Sequence, residues 1–365
     1  MRSPICFCLF ILLQMAEAGD WHGQVAGTIG LSHHPQPFAQ GAVRAVPGMS
    51  LELGSFAGGS VDMEGTLELA LDCTEPGDGC HLALRPYRLW LRCSEPQWEL
   101  RLGLQQINFG SAFLLRPLMW FDRLDVRNPL QLTEGVPALL FRYYFLNNTV
   151  FWLWGIAADG DSKGWEAVAS KNNSLEAGGR LEVPLFTGQL ALTLHHRSAE
   201  WQDPGSPATE VQPEERLGLD GKWDVGIGCW FEAVIEHRHF AWMARIQRSF
   251  CIGSDYTFAV GNGVHFLIEY LNLSQSDCWK TTDQRSKISA FAIDYPLTLI
   301  DQIACYVALD SQSKDIFWTA IWQQVHDNWK VSLIGFINPD YALTVQTASA
   351  SWRGKGVQMV LIHHF

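Results

Sequence analysis

Apolar residues occupy every second position along many stretches of the chain. Trp223, Val225 and Ile227, for example, alternate with Asp224 and Gly226. The same alternation recurs at 99–104, 190–195, 228–236 and 264–270. Successive side chains of a β-strand point to opposite faces, so a period of two predicts strands that each have one apolar face.

The alternating stretches predict 18 strands along the chain. Their predicted ranges are 24–31, 43–56, 64–73, 82–93, 98–110, 136–147, 149–158, 180–186, 189–197, 222–236, 239–251, 256–271, 288–296, 299–310, 315–326, 329–338, 341–351 and 355–365. An even number of strands of about ten residues is typical of a transmembrane antiparallel β-barrel. We therefore predict an all-β barrel of about 18 strands, with 14 or 16 as alternatives.

Composition supports a surface that faces lipid. Aromatic residues make up 12% of the chain, including 16 Trp, and charged residues only 18%, against about 25% in soluble proteins. A soluble β-sandwich would also alternate, but its outer face should be polar. The net charge of −12 without a basic segment argues against a nucleic-acid partner. No motif for a nucleotide or redox cofactor is present, and none is expected.

Both ends of the chain carry export signals. Arg2, the apolar run 5–13 and the small-x-small motif 16–18 predict a signal peptide over 1–18, followed by a single barrel domain over 19–365. The final strand presents Val357, Met359, Leu361, His363 and Phe365 on one face.

A last strand that ends on an aromatic residue resembles the C-terminal signature of Gram-negative outer-membrane β-barrels of the porin type. The resemblance implies an outer-membrane location, contact with outer-membrane lipid, and recognition of the last strand and Phe365 by the barrel-assembly machinery. It further implies a channel that is not an enzyme. The chain is also similar, more weakly, to alginate-export channels, on the strength of four arginines: Arg88, Arg92, Arg101 and Arg142.

Link lengths give an internal test of the strand assignment. Counting back from a periplasmic C-terminus places the long links outside and most short ones in the periplasm, as barrels of this kind require. The long external links are 111–135, 159–179 and 198–221, and the short periplasmic ones include 147–148, 187–188 and 338–340. The Pro- and Glu-rich stretch 203–215 is predicted to be a mobile surface loop. The link 272–287 breaks the rule, which indicates an unusual loop or an error in the assignment.

Charged residues are predicted to line the lumen, since they lie opposite the apolar faces. One sector is basic and carries Arg88, Arg92, Arg101 and Arg142, whereas a second is acidic and carries Asp224, Glu232, Glu236 and Glu269 with Arg245 between them. The 111–135 loop is predicted to fold inward as a constriction, with Arg116, Trp120, Asp122, Arg123, Asp125 and Arg127. Opposed charges across a narrow lumen orient polar solutes.

Three functions are compatible with such a barrel. The first is passive passage of small polar or anionic solutes, including sugars, for which Trp120, Phe121 and Trp230 offer stacking surfaces. The second is a plugged barrel with a structural or surface-attachment role. The third is an outer-membrane hydrolase using His195, His196 and Ser198, although no G-x-S-x-G motif is present.

The positions of cysteine and histidine residues give little further information about function. Cys73 and Cys80 flank a turn, so a hairpin disulfide is one possibility and free thiols the other. No zinc spacing of cysteines occurs. The histidine pairs 33–34, 195–196 and 363–364 are adjacent on strands, so the two side chains of each pair point to opposite faces. No metal site is therefore predicted in this chain.

Overall fold

The computed structural model describes residues 19–33, 37–56, 58–75, 79–202, 209–279, 283–339 and 354–365. The predicted signal peptide and the predicted strand 341–351 lie outside these residues. The described part of the chain forms 18 strands: β1 Asp20–His33, β2 Pro37–Phe56, β3 Gly59–Glu75, β4 Gly79–Glu95, β5 Trp98–Gln105, β6 Val136–Tyr144, β7 Val150–Ala157, β8 Leu175–Leu185, β9 Gly188–Gln202, β10 Thr209–Asp224, β11 Gly228–Arg238, β12 Ile246–Phe258, β13 Val264–Ser276, β14 Gln284–Pro296, β15 Asp301–Asp310, β16 Ile316–His326, β17 Trp329–Asn338 and β18 Gly354–His364.

Each strand pairs with its chain neighbours in antiparallel fashion, and β1 also pairs with β18. At this closing seam the Gly23 amide donates to the Phe365 carbonyl over 2.9 Å, and the Phe365 amide donates back over 3.1 Å. The 18 described strands therefore form a closed barrel in which none of them is an unpaired edge. Within the described residues, no helix is long and apolar enough to cross a membrane.

The outer face of the wall is apolar, as the alternation predicts. On β18, Val357, Met359 and Leu361 are 53%, 43% and 39% exposed, whereas Val360 and Ile362 on the inner face are almost fully buried. Exposed Leu, Ile, Val and Phe side chains continue around the barrel on most strands. Such a surface is unfavourable in water and favourable in a bilayer.

Strand β10 corrects the sequence prediction, which assigned 198–221 to a loop. Its inner face carries the buried Glu214, Arg216 and Asp220, and its outer face carries exposed residues that include Leu217 and Leu219. The charged residues lower the mean hydropathy of the segment, and for that reason it resembled a loop. The alternation of charged residues on the inner face with apolar residues on the outer face is the pattern that indicates a strand here.

The direct pairing of β17 with β18 resolves the misplaced link 272–287. Asn338 pairs with Gly354, so β17 ends and β18 begins at the end of the barrel opposite Phe365, whereas 338 was predicted to lie at the same end as Phe365. Every second link counted back from there lies at that same end. The link 277–283 therefore joins the long links 106–135 and 158–174 on one side of the barrel.

A disulfide joins Cys73 on β3 to Cys80 on β4, which settles the alternative that the sequence left open. The two residues lie directly opposite each other in the β3–β4 register. The bond closes the hairpin at the end of the barrel that carries the long links.

Substitution on the outer face of β10 tests whether this strand crosses a membrane. We expect Leu219→Arg to lower the free energy of unfolding by about 2–4 kcal/mol, because it places a guanidinium near the middle of the apolar band. Chemical denaturation in lipid vesicles measures the change. Val211→Arg, nearer the end of the same strand, serves as the control with an expected cost of about 0–1 kcal/mol. Equal effects at both positions would contradict the assignment.

Candidate functional site

The link between β5 and β6, residues 106–135, lies inside the barrel. Its side chains Leu118, Met119, Trp120 and Phe121 are each 1% exposed or less. We call this segment the inner loop. The sequence predicted such a loop over 111–135 from its length and its aromatic residues, and in the structure the middle of that range, 118–121, is buried inside the wall.

A carboxylate on β13 anchors the middle of the inner loop. Glu269 accepts hydrogen bonds from the backbone amides of Phe113, Leu114 and Leu115 at 2.6, 2.9 and 2.6 Å. It also accepts one from the Trp230 indole at 2.9 Å. A buried amide without a partner costs about 1–3 kcal/mol, so one side chain satisfies three donors that the irregular backbone would otherwise leave unpaired.

A second carboxylate, on β11, holds the same segment from the neighbouring wall. Glu232 accepts the amides of Ala112 at 2.7 Å and Leu118 at 2.9 Å. Both Glu232 and Glu269 are fully buried. They were predicted to line the pore as an acidic sector. This prediction is corrected in part: they face inward, but they lie beneath the inner loop and not on open lumen surface.

Aromatic packing fixes the first half of the inner loop against β7 and β9. Phe109 lies 5.5 Å from Trp120 and 5.6 Å from Trp154 between ring centroids. Phe121 packs edge-on against His195 at 4.9 Å, and the Trp154 indole donates to His195 over 3.2 Å. Trp120, Phe121 and also Trp230 are at most 3% exposed, so the predicted role as sugar-stacking surfaces is wrong for these three.

The two stems of the inner loop are tied together by Asp122. It accepts hydrogen bonds from the Gln106 side chain and from the Glu134 amide, each over 2.8 Å. Arg123 approaches Glu134 at 3.8 Å and also donates to Ser162 in the 158–174 link. Burial raises the pKa of Glu134, and the nearby Arg123 opposes that shift. The loop is thus closed on itself before it returns to β6.

Other charged residues of the inner loop bind within it or to the wall. Arg127 forms a two-point contact with Asp125 at 2.7–3.2 Å, and Arg116 donates to Asn108 at 2.8 Å. Arg88 on β4 donates to the carbonyls of Tyr87 and Thr133. Because it is only 7% exposed, Arg88 holds the end of the inner loop and does not line open lumen as predicted.

Behind the inner loop, strands β8–β11 carry a dense network of buried ion pairs. Arg180 forms a two-point contact with Asp220 at 2.5 and 3.0 Å. Further along the wall Arg197 and Arg216 share Glu214 and Glu166, and Arg238 pairs with Glu236. Glu236, predicted to face the pore, is therefore neutralised beneath the surface. Burial raises the pKa of Glu166, which lies in the 158–174 link, and Arg197 opposes that shift.

The predicted basic sector keeps its partly exposed arginines on β4, β5 and β6. Arg92 is 34% exposed and bonds Asp62 at 2.9 Å. Arg101 and Arg142 are 17% and 18% exposed and share Glu99, at 3.8 and 2.9 Å. Arg101 lies 4.5 Å over the Trp90 ring, and Arg142 lies 3.8 Å over the Trp152 ring. Arg92, Arg101 and Arg142 form a partly exposed cationic surface on the inner face of β4–β6, and we call it the arginine strip.

Two predicted pore residues lie elsewhere. Asp224 is exposed at the end of β10, where its carboxylate accepts the Gly226 amide over 3.1 Å and caps a turn. Arg245 is exposed in the link between β11 and β12, so it does not separate the acidic residues inside the barrel. Both errors arise because predicted strands 222–236 and 239–251 are displaced from the observed ones.

A cavity of about 570 Å³ lies between the inner loop and the wall formed by β12–β17. Its lining includes Arg127, His265, Asp294, Gln323 and Lys330. His265 lies between two carboxylates, 3.2 Å from Asp255 and 3.4 Å from Asp294. This polar chamber could not be predicted, because its residues come from six strands and the inner loop.

The hydrolase candidate residues are separated by the wall. His195 is buried on the inner face of β9, with Nε2 3.2 Å from Glu176, whereas His196 and Ser198 belong to the outer face. His195 therefore cannot act as the general base for Ser198, because their side chains lie on opposite faces of one strand. The residues Arg180, Glu214, Arg216 and Asp220 were missed as interior groups. Charged residues recur at every second position on β8 and β10, and this periodicity indicates that they share the inner face.

Comparison with solved structures gives the fold class. The chain superposes on OccK5 (OpdH) of Pseudomonas aeruginosa with a TM-score of 0.61 and 11% identity, covering 96% of this chain and 98% of that one. For OccK8 (OprE) of the same organism the TM-score is 0.59 at 10% identity, covering 96% and 98%. The anion-selective porin from Comamonas acidovorans gives 0.54 at 10% identity, covering 95% and 99%.

These likenesses show that the chain has the fold of Gram-negative outer-membrane porins, a closed barrel of 18 antiparallel strands. No protein-family profile matches the sequence, and no curated protein matches it. The fold is therefore established by structure, and the activity has to be argued from the interior of this barrel.

Hydrogen exchange tests the anchoring of the inner loop. Glu269→Ala removes the acceptor of three buried amides, so we expect exchange at 113–115 to rise by about tenfold or more, in line with a loss of at least about 1–3 kcal/mol. Mass spectrometry of exchanged, detergent-folded protein measures it. Glu236→Ala removes an equally buried carboxylate that does not contact the inner loop, and it should leave 113–115 unchanged. Equal protection in wild type and Glu269→Ala would contradict the anchoring role.

Proposed function

We propose that the protein is an outer-membrane channel through which small polar or anionic solutes pass passively. The observation that carries the proposal is the inner loop, which is held inside the barrel by Glu232 and Glu269 while the arginine strip on the facing wall stays partly exposed. A wall of 18 strands encloses a lumen too wide for side chains alone to fill. A loop fixed across it sets the narrowest point.

Charge along this path favours anions weakly. The arginine strip carries three positive charges against the two carboxylates of Asp62 and Glu99, and the arginines are the more exposed groups. Each arginine is partly neutralised, so the field in the lumen is weaker than three unpaired arginines would produce. That argues for a general preference for anions, in keeping with the name of the Comamonas porin, over a dedicated path for a polyanion.

Sugars are a second solute class that this wall can accommodate. Trp90 and Trp152 lie beneath Arg101 and Arg142, and each is partly accessible from the lumen. Indole faces stack on sugar rings, and guanidinium groups donate to hydroxyls. These two residues take the place of Trp120, Phe121 and Trp230 as candidate sugar contacts. The narrower resemblance to alginate-export channels stays a prediction.

The route to the membrane follows from the ends of the chain. We propose that residues 1–18 are removed as a signal peptide and that the barrel-assembly machinery recognises β18 with Phe365. The exposed apolar face of β18 and the hydrogen bonds of Phe365 to Gly23 at the seam support this role. Outer-membrane lipid then covers the apolar face.

A plugged barrel is the second candidate, and one observation favours it. The interior contains buried apolar clusters, including Ile321, Ile334 and Phe336 with Val360 and Ile362, which is unusual for a water-filled lumen. A structural or attachment protein would need no open path. The two candidates differ in a single measurable property, the ionic conductance of the folded barrel.

Planar-bilayer recording tests the channel and the arginine strip together. We expect discrete openings with a reversal potential that indicates anion preference, and we expect Arg92→Gln with Arg101→Gln to lower the anion-to-cation permeability ratio by roughly twofold or more. Arg245→Gln, an exposed arginine of an outer link, should leave the ratio unchanged. Silence from correctly folded protein would favour the plugged barrel, and an unaltered ratio would exclude the arginine strip as the selectivity element.

Loss of the loop anchors should widen the path. For Glu232→Ala with Glu269→Ala, we expect a larger and noisier single-channel conductance, because the inner loop loses the acceptors of five amides. The matched control is Glu236→Ala. If the double variant conducts as the wild type does, the inner loop does not set the narrowest point, even if the barrel is a channel.

A further inference from the structure

Three histidines surround one glutamate on the outer surface of the barrel. His196 on β9, Glu215 on β10 and His237 on β11 lie side by side in the strand register. His239 follows two residues after His237, so both rings project to the same side and lie 4.4 Å apart between centroids. We call this set the histidine cluster.

Distances within the histidine cluster fit a metal shell. His237 Nδ1 and His239 Nε2 lie 3.6 and 3.5 Å from the same oxygen of Glu215, and His196 Nδ1 lies 3.6 Å from the other. Ordinary hydrogen bonds to nitrogen end near about 3.2 Å. Two ligand atoms of a tetrahedral zinc ion, each at 2.0–2.1 Å from it, lie about 3.3–3.5 Å apart. The observed nitrogen–oxygen separations of 3.5–3.6 Å are closer to the spacing between two zinc ligands than to a hydrogen bond.

We propose that Glu215, His237 and His239 bind a divalent transition-metal ion of the zinc type, and that His196 binds the second carboxylate oxygen or completes the shell. Imidazole and carboxylate donors suit Zn²⁺, Cu²⁺ and Ni²⁺, whereas Ca²⁺ and Mg²⁺ prefer oxygen alone. Within the described residues, Glu215, His237 and His239 form the group whose donor atoms all lie within 4.8 Å of one another.

The position of the histidine cluster makes it accessible to ions from solution. The side chains of His196, Glu215, His237 and His239 are 41–56% exposed. The adjacent row of the register, Leu194 with Leu217 and Ile235, is apolar. The cluster therefore lies where the apolar band ends, at the side of the long links, and three protein ligands leave a coordination position for water.

Successive side chains of a strand point to opposite faces, which excludes adjacent histidine pairs as metal sites. The same alternation brings histidines of neighbouring strands together on one face, and the histidine cluster arises in this way. His195 and His196 point to opposite faces, and only His196 joins the cluster. The spacing His237-x-His239 places both side chains on one face of an extended chain. Glu215 was assigned to a loop from the sequence, so its place between the histidines could not be recognised.

A bound ion would join three strands and the link that follows β11. Because the ion binds the folded barrel, it raises stability by mass action. It would act on the outer surface, away from the inner loop and the arginine strip, so it does not depend on the proposed channel. Failure of the metal site would leave the channel proposal intact, and the reverse also holds.

Calorimetric titration of detergent-folded protein with Zn²⁺ tests the site. We carry out the titration in a Cys278→Ser background, so that the exposed side chain of Cys278 cannot supply a zinc ligand. The expected result is one ion per barrel. His237→Ala, His239→Ala and Glu215→Gln should each weaken binding by more than about 100-fold, and His196→Ala by about 10–100-fold. His326→Ala, an exposed histidine on β16, is the matched control.

A second measurement identifies the ligands directly. Cu²⁺ added at one equivalent should give an electron paramagnetic resonance spectrum with nitrogen coupling, which His237→Ala with His239→Ala removes. Heat-modifiable electrophoretic migration confirms that each variant is folded. The proposal is overturned if zinc fails to bind, if the double variant binds as the His326→Ala protein does, or if the copper spectrum lacks nitrogen coupling.

Discussion

The carboxylates of Glu232 and Glu269 are the constraint on which the interior depends. An irregular segment inside a barrel has backbone amides that neither a helix nor a sheet satisfies, and water cannot reach all of them. Two glutamates accept five of these amides and thereby fix the course of the inner loop. The aromatic packing around Trp120, the return stem at Arg88 and the part of the inner wall that stays exposed all follow from that course.

The wall reverses the arrangement of a soluble protein, with apolar residues outside and charge inside. Buried arginines such as Arg180, Arg197 and Arg216 are tolerated because each has carboxylate partners within 2.5–3.3 Å. Removing one partner would leave an uncompensated buried charge, which costs more than the pair contributes. The network therefore fixes a single arrangement of β8–β11 behind the inner loop.

Alternation carried most of the fold prediction, since the apolar faces of β5, β13 and β18 alternate without interruption. The prediction failed at β10, where Glu214, Arg216 and Asp220 make the segment resemble a loop. It also placed β12 at 239–251 instead of Ile246–Phe258, because no residue pattern marks where this strand begins. The predicted inner loop was located from its length and aromatics. The residues that anchor the loop could not be recognised in the same way. Whether Glu269 faces the open lumen or backbone amides depends on three-dimensional packing, which residue spacing along the chain does not encode.

The seam between β1 and β18 has a consequence for the order of assembly. The hydrogen bonds between Gly23 and Phe365 join strands from opposite ends of the sequence, so the longest-range contact in the molecule is also the one that closes it. Until β18 has been synthesised and paired, the growing sheet has two open edges along which other chains can add. The pairing of β18 with β1 removes both edges in a single step.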